Sequence, residues 1–183
     1  MIFEIIAEQA QHAALIEPLL DRTFGPDRHV KTVYRLREGV APLADLCFVA
    51  VDPPGELLAS LRFWPVRIAH MTAILLGPLA VEPSLQGRGI GRSLVRHGLN
   101  RARQLGYSVC VVVGEPEYYG PFGFANATAA GLLLPGPVDP QRFQVLELDP
   151  GSLQDLGGLI GRAEAVAPVM RRRTATRQQR GSL

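Results

Sequence analysis

The chain's 183 residues, 47% of them hydrophobic, fill one core and are short for two, so a single domain over residues 1–168 is expected, ahead of a basic tail at 169–183. No apolar run approaches the roughly 18 to 20 residues of a membrane span, and the opening MIFEIIAEQAQ has Glu4 and no basic leader region, which excludes a membrane-spanning chain and predicts a cytoplasmic one. The net charge of +2 falls to −3 without the five arginines of MRRRTATRQQR, and those arginines have no interleaved aromatics, so the chain does not read as a nucleic-acid binder.

In chain order, IFEIIAE reads as a short strand and QAQHAALIEPLLDRTF as a helix with apolar residues at helical spacing. GPDRHVKTVYRLRE predicts a second helix. ADLCFVAVD is an apolar strand ended by the turn PPGE, and LLASLRFWPVRIA returns from it as a hairpin partner. AILLGPLAVEP is the next strand. RSLVRHGLNRARQLG then places Leu94, Val95, Leu99 and Ala102 on one stripe of a helix that stops at Gly106. YSVCVVVG has the composition of a strand buried on both faces, and FQVLELD is the one clear strand in the remainder. Cys47 and Cys110 lie inside apolar runs, with no paired or metal-like spacing, and read as reduced core residues. The four histidines are scattered, and no metal-ligand cluster is evident.

Between AILLGPLAVEP and its helix stands QGRGIG, with Gly87, Gly89 and Gly91 at the mouth of the helix. A helix start has unpartnered N–H groups and a partial positive charge, so it can hold an anion, and residues without a Cβ let a phosphate approach. Arg88 and Arg92 add charge. A tight turn without a ligand satisfies the same glycines. The dinucleotide pattern G-x-G-x-x-G fits poorly, because the spacing here is G-x-G-x-G and no acid ends the following strand.

LAVEPSLQGRGIG resembles the acetyl-coenzyme A binding motif of the GNAT family of N-acetyltransferases, a strand followed by Q/R-x-x-G-x-G/A, carried here by Gln86, Gly87, Arg88, Gly89, Ile90 and Gly91. A second signature falls in register, since EPEYYGPFGF looks like the family's Y-x-x-x-G-F segment. The similarity covers roughly residues 1–150. It implies an α/β fold with a mixed sheet that splays beside the motif strand and flanking helices. It also implies acetyl-CoA as co-substrate without a metal: the backbone of Leu79, Ala80 and Val81 would pair with the pantetheine arm, and the amides of residues 87–92 would hold the pyrophosphate. Gly77 and Pro78 are placed to distort the motif strand, or to form a simple edge irregularity.

By the same resemblance Tyr119, four residues before Gly123, takes the position of the proton donor to the leaving thiolate, and Tyr118 that of a packing aromatic. Family members with a Glu or His base carry it on the motif strand, where this chain has AILLG, and Leu75 and Gly77 cannot accept a proton. The base is therefore unassigned, with Glu115 and Glu117 as candidates; Glu82 reads as solvent-facing and His70 as a hairpin-end residue. The implied reaction is acetyl transfer to a primary amine, either a small molecule or a protein N-terminus or lysine, and a homodimer is left open. A non-catalytic acyl-CoA sensor is the alternative.

Residues from about Met170 onward lack apolar periodicity and are expected to contribute nothing to the core. Deleting residues 170–183 should leave the melting temperature nearly unchanged, as thermal unfolding would show; a drop of more than a few degrees would mean that this segment packs.

Overall fold

The computed structural model describes residues 2–154 and 156–163, and the expected tail at 169–183 lies outside them. Nine strands form one mixed sheet, interrupted by helices in the order that the sequence predicts. β1 (Glu4–Ala7) leads through a 3-10 turn into α1 (Ala13–Phe24), which stops where Gly25 takes φ +83° ahead of Pro26. β2 (Cys47–Val51), β3 (Leu57–Ile68) and β4 (Met71–Val81) then form an antiparallel run. After α3 (Ile90–Gln104) comes β5 (Val109–Val113), parallel to β4.

The single helix expected over GPDRHVKTVYRLRE is instead two short pieces, a 3-10 turn at Pro26–Val30 and α2 (Thr32–Arg35), separated by Lys31 in extended geometry. The reason is an ion cluster. Arg28, almost fully buried, is drawn onto the carboxylates of Glu17 and Asp21 on α1, which holds the segment to α1. The β-branched Val30, Thr32 and Val33 give the helix little propensity with which to resist.

Beyond β5 the chain makes α4 (Pro116–Tyr119), the two-residue strands β6 (Ala125–Asn126) and β7 (Leu132–Leu133), and then β8 (Phe143–Glu147), antiparallel to β5. A last strand, β9 (Gly158–Arg162), pairs with the far end of β3 at Val66–Ile68 and with β7. The sequence did not announce β9, because GLIGR has two glycines in five residues and buries only Ile160.

The core has layers on both faces of the sheet. Leu94, Val95, Leu99 and Ala102 of α3 cluster with Phe63, Ile74 and Leu76, while Ile16, Leu19 and Leu20 of α1 meet Val49, Val51 and Ala80 on the opposite face. Trp64, Val66, Leu75, Val111 and Phe143 form a third cluster. Both cysteines are free and buried. Burial pushes the Cys47 thiol up to about 11 and raises that of Cys110 further, so neither offers a thiolate at neutral pH.

The feature that positions the site is the parting of β4 from β5. Their pairing covers only Ile74↔Cys110 and Leu75↔Val111, after which β4 continues to Val81 alone on that side. Between Leu76↔Phe63 and Leu79↔Leu61, Gly77 and Pro78 stand opposite the single residue Arg62, which is a β-bulge. Gly77 has φ +108°, a conformation that favours glycine, and Pro78 has no N–H to offer a neighbour.

Gly98 of α3 has no room for a side chain, since an added Cβ would lie 2.6 Å from Cε2 of the fully buried Phe63. Gly98→Ala gains about 1 kcal/mol of helix propensity, but overpacking typically costs about 1 to 3 kcal/mol. A net loss of stability is expected by urea denaturation; an increase would mean that the Phe63 ring yields freely.

Candidate functional site

The open edge of β4 has a definite pattern. The Glu82 N–H donates to the Leu58 carbonyl at 2.9 Å, so strand alternation turns the backbone groups of Ala80 toward β3 and those of Leu79 and Val81 into the gap. Ala80 also has its side chain fully buried against α1. The Gln86 side-chain amide reaches back to donate to the Val81 carbonyl at 3.3 Å, which closes the far end of the gap.

The glycines at the mouth of α3 divide into two kinds. Gly87 and Gly89 have φ +77° and +86°, and nothing lies within 4 Å of where their Cβ atoms would stand. They make an open, left-handed approach to the helix. Gly91 is a packing glycine, because an added Cβ would lie 2.8 Å from the Tyr118 hydroxyl and 3.2 Å from Val81. The first helical hydrogen bond runs from the Ser93 N–H to the Gly89 carbonyl (3.0 Å), so the amides of Ile90, Gly91 and Arg92 precede it and have no helical acceptor. Arg88 and Arg92 are exposed beside them, the Arg92 guanidinium 6.0 Å from the Tyr118 ring centre.

The opposite wall is the end of β5, Gly114 and α4. Tyr119 occupies the space that a side chain at Gly114 would need and meets Phe124 edge-on at 5.6 Å. Burial raises the pKa of its hydroxyl well above the ordinary value, against the opposing pull of Arg142 and Arg37, so the group keeps its proton at neutral pH. Tyr118 is half-buried, and burial raises its pKa too. Both tyrosines border a cleft of about 810 Å³ that also takes in Leu76–Leu79, Gln86, Val112–Gly114, the Lys31–Tyr34 segment and Arg37.

A second cavity, of about 480 Å³, lies beside it and shares the wall formed by Arg28, Tyr34, Arg37 and Pro78. Glu17, Glu38, Arg35, Arg62, His29 and Trp64 are among its other lining residues. Arg62 is paired with Glu8 at 2.7 Å, and Arg28 with Glu17 and Asp21. Arg37 has neither an ion pair nor a hydrogen-bond partner for its buried Nε among the described residues. Its guanidinium lies 4.8 Å from the Tyr34 ring centre and 5.0 Å from that of Trp64, and burial pushes its pKa down to about 10.

The acidic candidates separate. Glu115 lines the cleft, 63% exposed at its rim and 3.1 Å from Arg142. Glu117 is exposed and does not border the cleft. Glu82 does not simply face solvent, since Arg22 of α1 holds it at 2.8 Å; His70 sits exposed in the β3–β4 turn. Among the described residues, no three His, Cys, Asp or Glu side chains are grouped to hold a metal ion, and no helix is long and apolar enough to cross a membrane. Arg37, Tyr34 and Trp64 gave no signal in the sequence, where an arginine in a polar stretch reads as a solvated charge.

Residues 13–118 match the model of the acetyltransferase (GNAT) family. The uncharacterized N-acetyltransferase YhbS of Escherichia coli K12 is 33% identical over 147 residues, 79% of this chain and 87% of that protein. The crystal structure of E. coli YhbS, a GNAT family N-acetyltransferase in complex with CoA, superposes with a TM-score of 0.76 at 32% identity, covering 88% of this chain and 89% of that one. A GNAT family acetyltransferase from Brucella melitensis, in complex with acetyl-CoA, superposes at 0.62 with 30% identity, covering 81% and 90%. With its motif strand, glycine-lined helix mouth and splayed sheet, the chain belongs to the GNAT family of acetyltransferases.

Proposed function

We propose that this protein transfers the acetyl group of acetyl-CoA to a primary amine by direct attack. The observation that carries the reading is the gap between β4 and β5, bordered at one end by the open glycines of α3 and at the other by Tyr119. The CoA and acetyl-CoA complexes of the two relatives support it.

In this reading the pantetheine arm pairs with the gap-facing backbone of Leu79 and Val81 as an added strand, and the amides of residues 87–92 hold the pyrophosphate with help from Arg88 and Arg92. The amine nitrogen attacks the thioester carbonyl carbon, and the Leu79 N–H, the first gap-facing amide past the bulge, donates to the oxygen as it becomes negative. Such a donor commonly lowers the barrier by about 3 to 4 kcal/mol. The carbon–sulfur bond then breaks with its electron pair on sulfur, and Tyr119 gives its proton to that thiolate. The proton lost by nitrogen leaves through Glu115 and solvent at the cleft mouth. The absence of a carboxylate or imidazole on β4 facing the gap favours a second reading, a non-catalytic acyl-CoA sensor; release of free thiol from acetyl-CoA across a panel of amines separates the two.

Two substitutions test the roles. Gly89→Asp keeps the tolerance of a short polar residue for φ > 0 and places a carboxylate where a phosphate should sit, so acetyl-CoA affinity measured by calorimetry should fall by at least about tenfold, the scale of one charged hydrogen bond. Affinity equal to the parent in a folded variant would remove the phosphate cradle. Tyr119→Phe deletes only the hydroxyl, and general acid catalysis contributes on the order of 10² to 10⁴ in rate, so kcat should drop by at least about a hundredfold with acetyl-CoA affinity and melting temperature little changed. An unchanged kcat would leave Tyr119 as a packing residue.

A further inference from the structure

Arg37 is a desolvated cation whose buried Nε has no hydrogen-bond partner among the described residues. The guanidinium lies 4.8 Å and 5.0 Å from the centres of two rings, Tyr34 and Trp64, and one terminal nitrogen lies 3.6 Å from where a Cβ on Gly77 would stand, so the charge sits against the β4 bulge. Arg35 of this wall is exposed to solvent, while the two other buried or half-buried arginines have counter-ions, Arg28 with Glu17 and Asp21 and Arg62 with Glu8 and Glu17. Arg37 has none among the described residues, although Glu38 follows it in the chain and lines the same cavity. The Tyr34 side chain also hydrogen-bonds the guanidinium, and the N–H groups it leaves can still be used along the planar edge, the geometry that a carboxylate matches with two oxygens. Both cavities meet at this residue. The glycine-lined helix mouth, where phosphates are expected, lies beyond the other end of the gap, since Gly77 and Val81 are four residues, about 13 Å of strand, apart.

We propose that the acceptor amine carries a carboxylate, that Arg37 grips it where the two cavities meet, and that the substrate class is therefore the free amino acids and related amino-carboxylates. The assignment rests on the acetyltransferase reading of the cleft. A cation held beside two rings next to the bulge fixes the acid end of the acceptor, which leaves the amine free to reach the thioester. The ordinary role of the partial desolvation of Arg37 is then to be reversed on binding, when an anion restores what burial took from the charge.

The experiment pairs each of the common L-amino acids with its C-terminal amide, and follows thiol release from acetyl-CoA alongside calorimetric binding of the N-acetyl amino acids and N-acetyl amino acid amides to the CoA-loaded protein. At least one acid should be favoured over its amide by roughly 10- to 100-fold in kcat/KM and in product binding, the range of a charged hydrogen-bonded pair. In Arg37→Gln that preference should collapse to below about threefold through KM, with Arg37→Lys intermediate and acetyl-CoA affinity retained as evidence of folding. No acid favoured over its amide in either measurement overturns the proposal, as does an Arg37→Gln variant that loses kcat equally for acids and amides, which would make Arg37 a support for the leaving group. Acids that bind through Arg37 without thiol release would uphold the carboxylate site and sink the acetyltransferase reading instead.

Discussion

The rest of the site depends on the failure of β4 and β5 to stay paired. Backbone N–H and C=O groups require partners, and a strand edge left open inside a protein is a standing demand for one. Two pairs join these strands, Ile74↔Cys110 and Leu75↔Val111, and then the bulge at Gly77–Pro78 turns β4 away. On its β3 side β4 stays bonded as far as Val81, so the open groups of Leu79 and Val81 are held in strand geometry without a strand opposite them. A ligand with amides of its own can complete such an edge, and that is the physical content of the co-substrate reading.

Both walls of the gap are rigid for different reasons. α3 is anchored by its buried stripe, so the open amides at its start are set by packing at Leu94, Val95 and Leu99 some turns away. The tyrosine wall is set by what is missing: glycine at position 114 admits the Tyr119 ring, and glycine at position 91 admits the Tyr118 hydroxyl. Burial that would be costly for a charged group keeps the Tyr119 hydroxyl protonated, as the proposed donor role requires.

Electrostatics organises the third side. Arg28 is nearly inaccessible while its partners Glu17 and Asp21 are about half exposed, so the cluster joins a buried charge to carboxylates that remain hydrated. Removing those partners would strand a buried cation, a loss larger than the worth of the pair itself. The cluster breaks the segment after α1 into short turns and so carries Tyr34 and Arg37 over the cleft, where a continuous helix from residue 25 to 38 would have run past it.

Much of the fold was legible because its signals are local. The α3 stripe follows from a 3.6-residue period sustained over fifteen residues, β2 and β5 from apolar β-branched runs, and the helix mouth from three glycines in five residues. The assignment of Tyr119 rests on its register with Gly123 and Phe124, the segment that resembles the family's second signature. The remainder required tertiary contacts. β9 is a strand because β3 and β7 accept it, Glu115 is paired with Arg142 twenty-seven residues later, and the three glycines differ in purpose only because Tyr118 arrives at one of them. The sequence by itself determined the order of the main elements, the stripe of the core and the glycine-rich mouth of α3, since these depend on neighbours within a few residues. Only the tertiary structure decided where the sheet opens and that Arg37 is desolvated beside two rings with no carboxylate partner among the described residues, because pairing and desolvation are properties of what surrounds a residue, and an arginine is written the same way in water and beside a ring.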